Sequence, residues 1–425
     1  MKAFRTWAQT PPKGWNSWDC FGAAVTEEDV RQNAAYMAEH LLDYGWEYVV
    51  VDIQWYEPNA DSSVYHPFTD LEMDEYSRLI PAVNRFPSAK EGAGFKELGE
   101  YIHSLGLKFG IHIMRGIPRQ AVHQNTPIKN STYTARDIAK PNSISPWNTD
   151  MYGVDTSKPG AKEYYASLIE LYASWGVDFL KIDDIADSKL YGGHIDEIAL
   201  IREVIDESGR EIVLSLSPGP ASLEHGSFLH NHANMWRLTD DYWDNWWQLY
   251  EMFEKSAKWS PFVRPGNWPD CDMLPLGHIG VRSLDGGGGD RMTRFTKAEQ
   301  KSMMSLWSIF KSPLMFGGHL PDNDDWTLSL LQNKDLQELI ELGHGGYEVS
   351  RTDDIVIWYS KTEAHEWIAV FNLNDETRNV ELNTNDLLEY PAKQLEEIWS
   401  KNQIAVQDTT KLMIEPHDVK LFKTI

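Results

Sequence analysis

Along most of this chain, apolar runs of strand length alternate with stretches of helical spacing, and run after run stops at a charged or aromatic residue. That alternation predicts parallel strands joined by helices, because strands covered on both faces read as near-continuous apolar runs. The clearest run is 177–185, Val-Asp-Phe-Leu-Lys-Ile-Asp-Asp-Ile, where Lys181, Asp183 and Asp184 arrive as the strand would leave the core. Charges at the C-terminal end of a buried strand point to chemistry, set against the plainer alternative of solvated loop charges.

The other runs follow in order. Residues 11–18, Pro-Pro-Lys-Gly-Trp-Asn-Ser-Trp, read as a first strand whose Trp side chains either cap a pocket or fill the core. Thr26-Glu27-Glu28-Asp29 marks a helix N-cap with an acidic first turn, and Ala34, Met37, Ala38, Leu41 and Leu42 continue at helical spacing. Residues 48–53 form a second strand ending in Asp52-Ile53-Gln54-Trp55. A helix over 95–105 leads to a third strand, 107–114, with His112 and Arg115 near its end. Residues 116–159 show little periodicity and predict a long strand-to-helix loop, either a wall of the site or a flexible insertion. Helices are expected over 161–175 and 195–205. Further strands are expected over 211–216, ending in Ser217-Pro218-Gly219, over 235–238, ending in Thr239-Asp240-Asp241, over 270–274 and over 313–316. Thr296-Lys297-Ala298-Glu299 is a capping box for the helix before the last of these.

Eight strand-then-helix units predict an α/β fold of the (β/α)8 TIM barrel type rather than an open doubly wound sheet, since no dinucleotide glycine fingerprint follows any strand. The Gly286 to Gly289 run lacks the Lys-Ser/Thr ending of a phosphate loop and reads as a flexible loop. After Gly343 short β-rich runs recur at 355–359, 367–371, 380–382 and 413–414. They predict a C-terminal antiparallel β-sandwich, so that residues 1–340 form a catalytic barrel and 341–425 a second domain.

Composition narrows the partners. A net charge of −25, with 39 Lys and Arg against 64 Asp and Glu, argues against nucleic acid and anionic membrane. The 18 Trp hint at carbohydrate, because Trp stacks on the apolar faces of sugars. The expected partners are therefore a small carbohydrate substrate and, at most, copies of the same chain in a homo-oligomer. Cys20 and Cys271 make neither a disulfide framework nor a Cys-x-x-Cys metal pattern. With no apolar leader in the first residues and no long apolar run, a cytoplasmic protein without a cofactor is expected.

In a barrel the strand ends converge on one mouth, so Trp18, Asp52, Trp55, His112, Lys181, Asp183, Arg237, Asp241 and Asp272 should share a cavity. Lys181 inside it would repel a divalent ion, and no His-x-x-x-His or Cys/His set is present, so no metal site is expected. A pair of carboxylates suits glycoside hydrolysis, one attacking the anomeric carbon and one protonating the leaving oxygen. Lys181, two residues before Asp183, would favour the ionised form that a nucleophile needs. Arg237, four before Asp241, could orient that carboxyl and hold a sugar hydroxyl, though its charge would also lower the acid's pKa.

The chain resembles glycoside hydrolase family 27, the α-galactosidase and α-N-acetylgalactosaminidase family of clan D, over nearly its whole length. Pro12-Lys13-Gly14-Trp15-Asn16-Ser17-Trp18 looks like that family's opening strand, and Leu180-Lys181-Ile182-Asp183 is similar to the segment bearing its nucleophile. Trp236-Arg237 with Asp241, then Asp244-Asn245-Trp246, matches the acid/base segment. Residues 266–274 resemble a late-strand segment, with Pro269 and Cys271 altered. The resemblance implies Asp183 as nucleophile, Asp241 as acid/base, and retention through a covalent glycosyl-enzyme with the two carboxyls about 5–6 Å apart. It leaves Asp184, where the family has Gly or Asn, as a supporting or solvent-facing residue.

Departures from the family pattern bear on the sugar. A paired Asp at the second strand, which holds the galactose 4- and 6-hydroxyls, reads Asp52-Ile53 here. Isoleucine offers no acceptor to a hydroxymethyl group, whereas L-arabinopyranose has the galactose ring hydroxyls and no C6 group. The motif thus resembles the β-L-arabinopyranosidase members, with α-galactosidase activity expected to be weaker. Ser217-Pro218-Gly219 replaces a Glu that meets the 2-hydroxyl, which keeps an N-acetylgalactosamine glycone open. His112 stands where the family has a Tyr and is expected to contact a sugar hydroxyl. A catalytically silent sugar-binding barrel is the reading from another class, and it predicts loss of one carboxylate where both positions are filled. The family's disulfide cysteines are largely absent.

Overall fold

The computed structural model describes residues 3–62, 64–188 and 190–425. Met1 and Lys2, at the start of the stretch read for a leader, lie outside them. Eight parallel strands run in sequence: β1 (Lys13–Asn16), β2 (Tyr48–Val51), β3 (Lys108–Met114), β4 (Phe179–Asp183), β5 (Val213–Leu216), β6 (Met235–Arg237), β7 (Trp268–Asp270) and β8 (Leu314–Phe316). They pair in the order β7-β6-β5-β4-β3-β2-β1-β8. The ends meet through a parallel bridge between Leu274 and Phe316, where the Leu274 N–H donates to Met315 (2.8 Å) and the Gly317 N–H to Leu274 (3.0 Å). A ring closed in this way is a TIM barrel.

Between the strands lie α1 (Glu27–His40), α2 (Lys96–Ser104), α3 (Ala161–Ser174), α4 (Ile195–Ser208), α5 (Gly226–His232), α6 (Trp246–Trp259) and α7 (Lys297–Phe310). Capping boxes start α1 at Thr26 with Asp29 and α7 at Thr296 with Glu299, each satisfying N–H groups that a first turn leaves orphaned. Among the described residues no helix is long and apolar enough to cross a membrane.

Strand alternation fills the barrel. Tyr48, Val50, Phe179, Val213, Met235, Trp268 and Met315 form one buried cluster inside the ring, while the larger cluster packs strands against helices. Gly110 lies where these side chains crowd, since a Cβ there would stand 2.9 Å from Val50 Cγ2 and 3.0 Å from Phe179 Cβ. Any larger residue at this place would force the barrel interior apart.

Two elements differ from the sequence expectation. The seventh strand is Trp268–Asp270, so most of 270–274 is the turn beyond its end. Residues 116–159 are not an irregular loop but carry two short helices and a three-stranded antiparallel sheet of Ile117–Pro118, Met151–Val154 and Ala139–Ile144. Their regularity hid because the strands are only two to six residues long.

Beyond the barrel, β9 (His344–Thr352), β10 (Ile355–Lys361), β11 (Glu366–Asn372), β12 (Arg378–Leu382), β13 (Gln394–Glu397), β14 (Gln403–Ala405), β15 (Thr410–Ile414) and β16 (Val419–Thr424) are antiparallel. Six of them pair as β9-β10-β11-β16-β13-β14 and two as β12-β15, with apolar side chains from both sheets in a shared core. This sandwich packs on α6 and α7, through Phe253 against Phe371 (ring centroids 4.8 Å apart), Trp246 stacked on His417 (3.6 Å) and the Lys301–Asp418 ion pair (2.7 Å).

Candidate active site

Residues at the C-terminal ends of the barrel strands enclose a cavity of about 330 Å³, a size usual for small-molecule sites. Asp52 and Ile53 enter just beyond β2, His112 from β3, Lys181 and Asp183 from β4, and Arg237 from β6 with Asp241 four residues later; Trp18 joins them. Alternation makes the selection. Phe179, Lys181 and Asp183 share one side of β4, and the strand register sets His112 beside Lys181.

Asp52 is held on both oxygens. Its Oδ1 accepts from the Ile53 N–H (2.9 Å) and lies 2.6 Å from His112 Nδ1, and its Oδ2 accepts from Asn16 Nδ2 (2.9 Å) and Lys181 Nζ (3.5 Å). Burial alone would raise this carboxyl, but His112, Lys181 and the hydrogen bonds hold it well below the usual carboxylate range. The far nitrogen of His112 stands 3.4 Å from Asp183 Oδ2, so one imidazole lies between two carboxylates.

For Asp183 the balance runs against the sequence expectation. Burial pushes its pKa above the ordinary value even though His112 and Lys181 pull it down, and Asp241 adds to the rise. Lys181 favours the ionised form, as its charge must, without outweighing desolvation. Asp183 Oδ1 also accepts the Asp184 N–H at 2.8 Å. Asp241 sits at the rim with its side chain 60% exposed, 3.1 Å from Arg237 Nη2, and the same guanidinium meets Asp272 at 2.7 Å. A half-buried carboxylate and a rim carboxyl in one cavity are the groups that glycoside hydrolysis requires.

The family model described as "Alpha galactosidase A" matches residues 10–158 and 148–341, well over half of the chain. The chain belongs to glycoside hydrolase family 27. It is therefore an enzyme, a glycoside hydrolase. A family 27 β-L-arabinopyranosidase from Geobacillus stearothermophilus is 59% identical, with a TM-score of 0.98 over 99% of this chain and 97% of that one. A Bacillus halodurans protein provisionally described as an α-N-acetylgalactosaminidase is 54% identical, with a TM-score of 0.88 over 97% of each chain. Alpha-galactosidase 2 of Arabidopsis thaliana is 25% identical over 98% of this chain and 89% of its own length.

Three residues expected in the cavity of this family 27 enzyme do not line it. Trp55 is fully buried, donates through Nε1 to the His112 carbonyl (2.8 Å) and packs edge-on against Phe95 and Trp175. The chain turns after β2, and that turn sends the indole into the layer behind the barrel. The Ser217 hydroxyl faces back to the Ile182 carbonyl at 3.4 Å, leaving Pro218 as the wall. Asp272 lies past the shifted end of β7 in a left-handed conformation (φ 81°), behind Arg237.

Asp184 is buried, not solvent-facing. Its φ of 56° is one that Gly, Asn and Asp tolerate, which accounts for the residue types the family uses there. Arg115 pairs with its carboxylate (2.9 Å) and donates to its carbonyl (2.6 Å), and burial, opposed by Arg115, pushes its pKa up to about 6.

Tyr65, Pro146, Trp147, Pro218, Asp240 and Asp285 also line the cavity and were not foreseen as site residues. All lie in loops, where periodicity carries no signal. The glycine run is hydrogen-bonded to two arginines: Arg294 binds the Gly286 and Gly287 carbonyls (3.1 and 2.9 Å), Arg291 binds that of Gly289 (3.1 Å), and both arginines meet Asp244.

Proposed function

We propose that this family 27 hydrolase is a retaining, exo-acting glycosidase whose favoured glycone is β-L-arabinopyranose. Asp183 attacks the anomeric carbon, and Asp241 protonates the departing oxygen and then activates water. Asp52, His112 and Lys181 supply acceptors and donors for the ring hydroxyls, while Arg237 steers the carboxyl of Asp241.

The observation that carries the sugar assignment is Ile53. It is 1% exposed and lines the cavity beside Asp52, so an apolar group stands where a hydroxymethyl group would need an acceptor. A buried hydroxyl without a partner costs about 1–3 kcal/mol. The 59% identical structure, described as a β-L-arabinopyranosidase, supports the same reading. Replacing Ile53 by Asp should raise kcat/KM for nitrophenyl α-D-galactoside, relative to the β-L-arabinopyranoside, by about 10- to 100-fold. An unchanged ratio would remove the basis of the assignment.

The small Pro218 wall supports a second reading, an α-N-acetylgalactosaminidase. It predicts that nitrophenyl α-N-acetylgalactosaminide outruns both other glycosides in the unmodified enzyme. Two buried thiols outside any disulfide, Cys20 and Cys271, suit a reducing, cytoplasmic setting.

A further inference from the structure

Arg115 and Asp184 are buried next to Asp183, and no step of the proposed mechanism uses them. Arg115 follows the end of β3 and Asp184 the end of β4, and the strand register sets Met114 beside Asp183, so the two residues leave the barrel together. Arg115 then holds the 183–184 segment at three points. Its N–H donates to the Asp183 carbonyl (3.1 Å), its Nε to the Asp184 carbonyl (2.6 Å), and its Nη2 pairs with the Asp184 carboxylate (2.9 Å).

The arginine is itself held from the helix layer. Its Nη1 stands 3.5 Å from Glu197 Oε1 in the first turn of α4, and the other Glu197 oxygen accepts from the Tyr165 hydroxyl of α3 (2.5 Å). Gly116, the next residue, gives its N–H to the Tyr165 hydroxyl (3.3 Å), and its carbonyl accepts from that of Tyr164 (3.1 Å). Such a cluster is a poor source of stability. Taking an arginine and two carboxylates out of water carries a penalty that apolar residues of the same volume would avoid, and burial does push Asp184 and Glu197 above their ordinary pKa against the pull of Arg115. What the cluster supplies is direction.

Asp184 stands at φ 56°, a conformation that Asp tolerates without favouring, and the grip on its carbonyl and carboxylate keeps the peptide turned that way. Its N–H therefore stays on Asp183 Oδ1 (2.8 Å). With one oxygen tied, the other is left to react. Oδ2 is the oxygen 3.4 Å from His112 Nε2, and a nucleophile is effective only when the reacting atoms are aligned at about 3–3.5 Å. We propose that Arg115, acting through Asp184, is the positioning residue of the nucleophile: it fixes the Asp184 N–H on Oδ1 and leaves Oδ2 to bond the anomeric carbon, as the bond to the leaving oxygen breaks and Asp241 protonates that oxygen. This rests on the reading of Asp183 as nucleophile.

The test places Arg115→Met in two backgrounds, on the nitrophenyl glycoside of whichever sugar the unmodified enzyme cleaves. With Asp183 present, the substitution should lower kcat about 10- to 100-fold while Kd for the free sugar, read by calorimetry, changes less than about twofold. In Asp183→Ala rescued by azide, the same substitution should change the rescued rate less than about threefold, because a free anion finds its own place and needs no aim. If Arg115→Met does not fold, Arg115→Lys carries the same comparison, since one ammonium cannot meet carbonyl and carboxylate as the planar fork does, and kcat should fall about tenfold. An unchanged kcat, equal losses in the two backgrounds, or a loss of sugar binding that matches the loss of kcat would overturn the proposal and leave the cluster as a clamp of the fold. Full turnover in Asp183→Ala without azide would overturn the nucleophile reading and this proposal with it, so the two failures look different.

Discussion

Asp183→Ala is expected to lower kcat on nitrophenyl β-L-arabinopyranoside by at least about 10⁴-fold, because on the proposed mechanism it removes the nucleophile that forms the glycosyl-enzyme. Asp183 ends β4 on the side that faces into the barrel, and its oxygens meet the Asp184 N–H and the far nitrogen of His112. Alanine leaves space in which a small anion can stand. Added azide should therefore restore turnover and yield a glycosyl azide of inverted configuration, since it attacks from the face the carboxylate used. Full turnover in the variant would show that the nucleophile lies elsewhere and would reopen the reading of a silent sugar-binding barrel.

Asp241→Ala should behave differently in kind. General acid catalysis contributes about 10²- to 10⁴-fold, and its loss weighs most on substrates whose leaving group needs a proton. The alkyl glycoside should fall by the larger figure and a dinitrophenyl glycoside by much less. Azide should now capture the glycosyl-enzyme from the opposite face and give a product of retained configuration. The contrast between the two azide products separates the roles of Asp183 and Asp241. The same configuration from both variants would contradict the assignment.

Much of the barrel was legible because its physics is periodic. A strand covered on both faces must be apolar along its length, so the charges at Asp52, Lys181, Asp183 and Arg237 stood out where each strand ends. Alternation then carries Lys181 and Asp183 to the same side. Legibility fails where the chain turns. Trp55, three residues past Asp52, was expected in the cavity, but the turn buries it against Phe95 and Trp175. Asp272 was misplaced because β7 ends at Asp270, two residues before it, so the carboxylate lies behind Arg237 rather than in front. Tyr65 and Asp285 gave no sign in the sequence, and Trp147 only as part of a long stretch that could wall the site. Their places depend on hydrogen bonds between distant loops, such as Asp150 with Gln54 and Trp18 with Asp285, and no local pattern encodes these. In the second domain the apolar runs of β10 and β11 were plain. The edge strands β9 and β14 were not, since exposed edges carry mixed polar and apolar residues.

Membership of family 27 gives the reaction class, and the departures from its pattern are what the proposed sugar rests on. Ile53 is the residue on which the two meet. On the proposed reading, a hydroxymethyl group would meet apolar Ile53 beside Asp52 and find no acceptor there, whereas the ring hydroxyls that galactose and L-arabinopyranose share would meet Asp52, Lys181 and His112. The most direct measurement is kcat/KM of the unmodified enzyme on nitrophenyl β-L-arabinopyranoside and nitrophenyl α-D-galactoside under one set of conditions. The arabinopyranoside should lead by about tenfold or more; equal values, or a lead for the galactoside, would contradict the account.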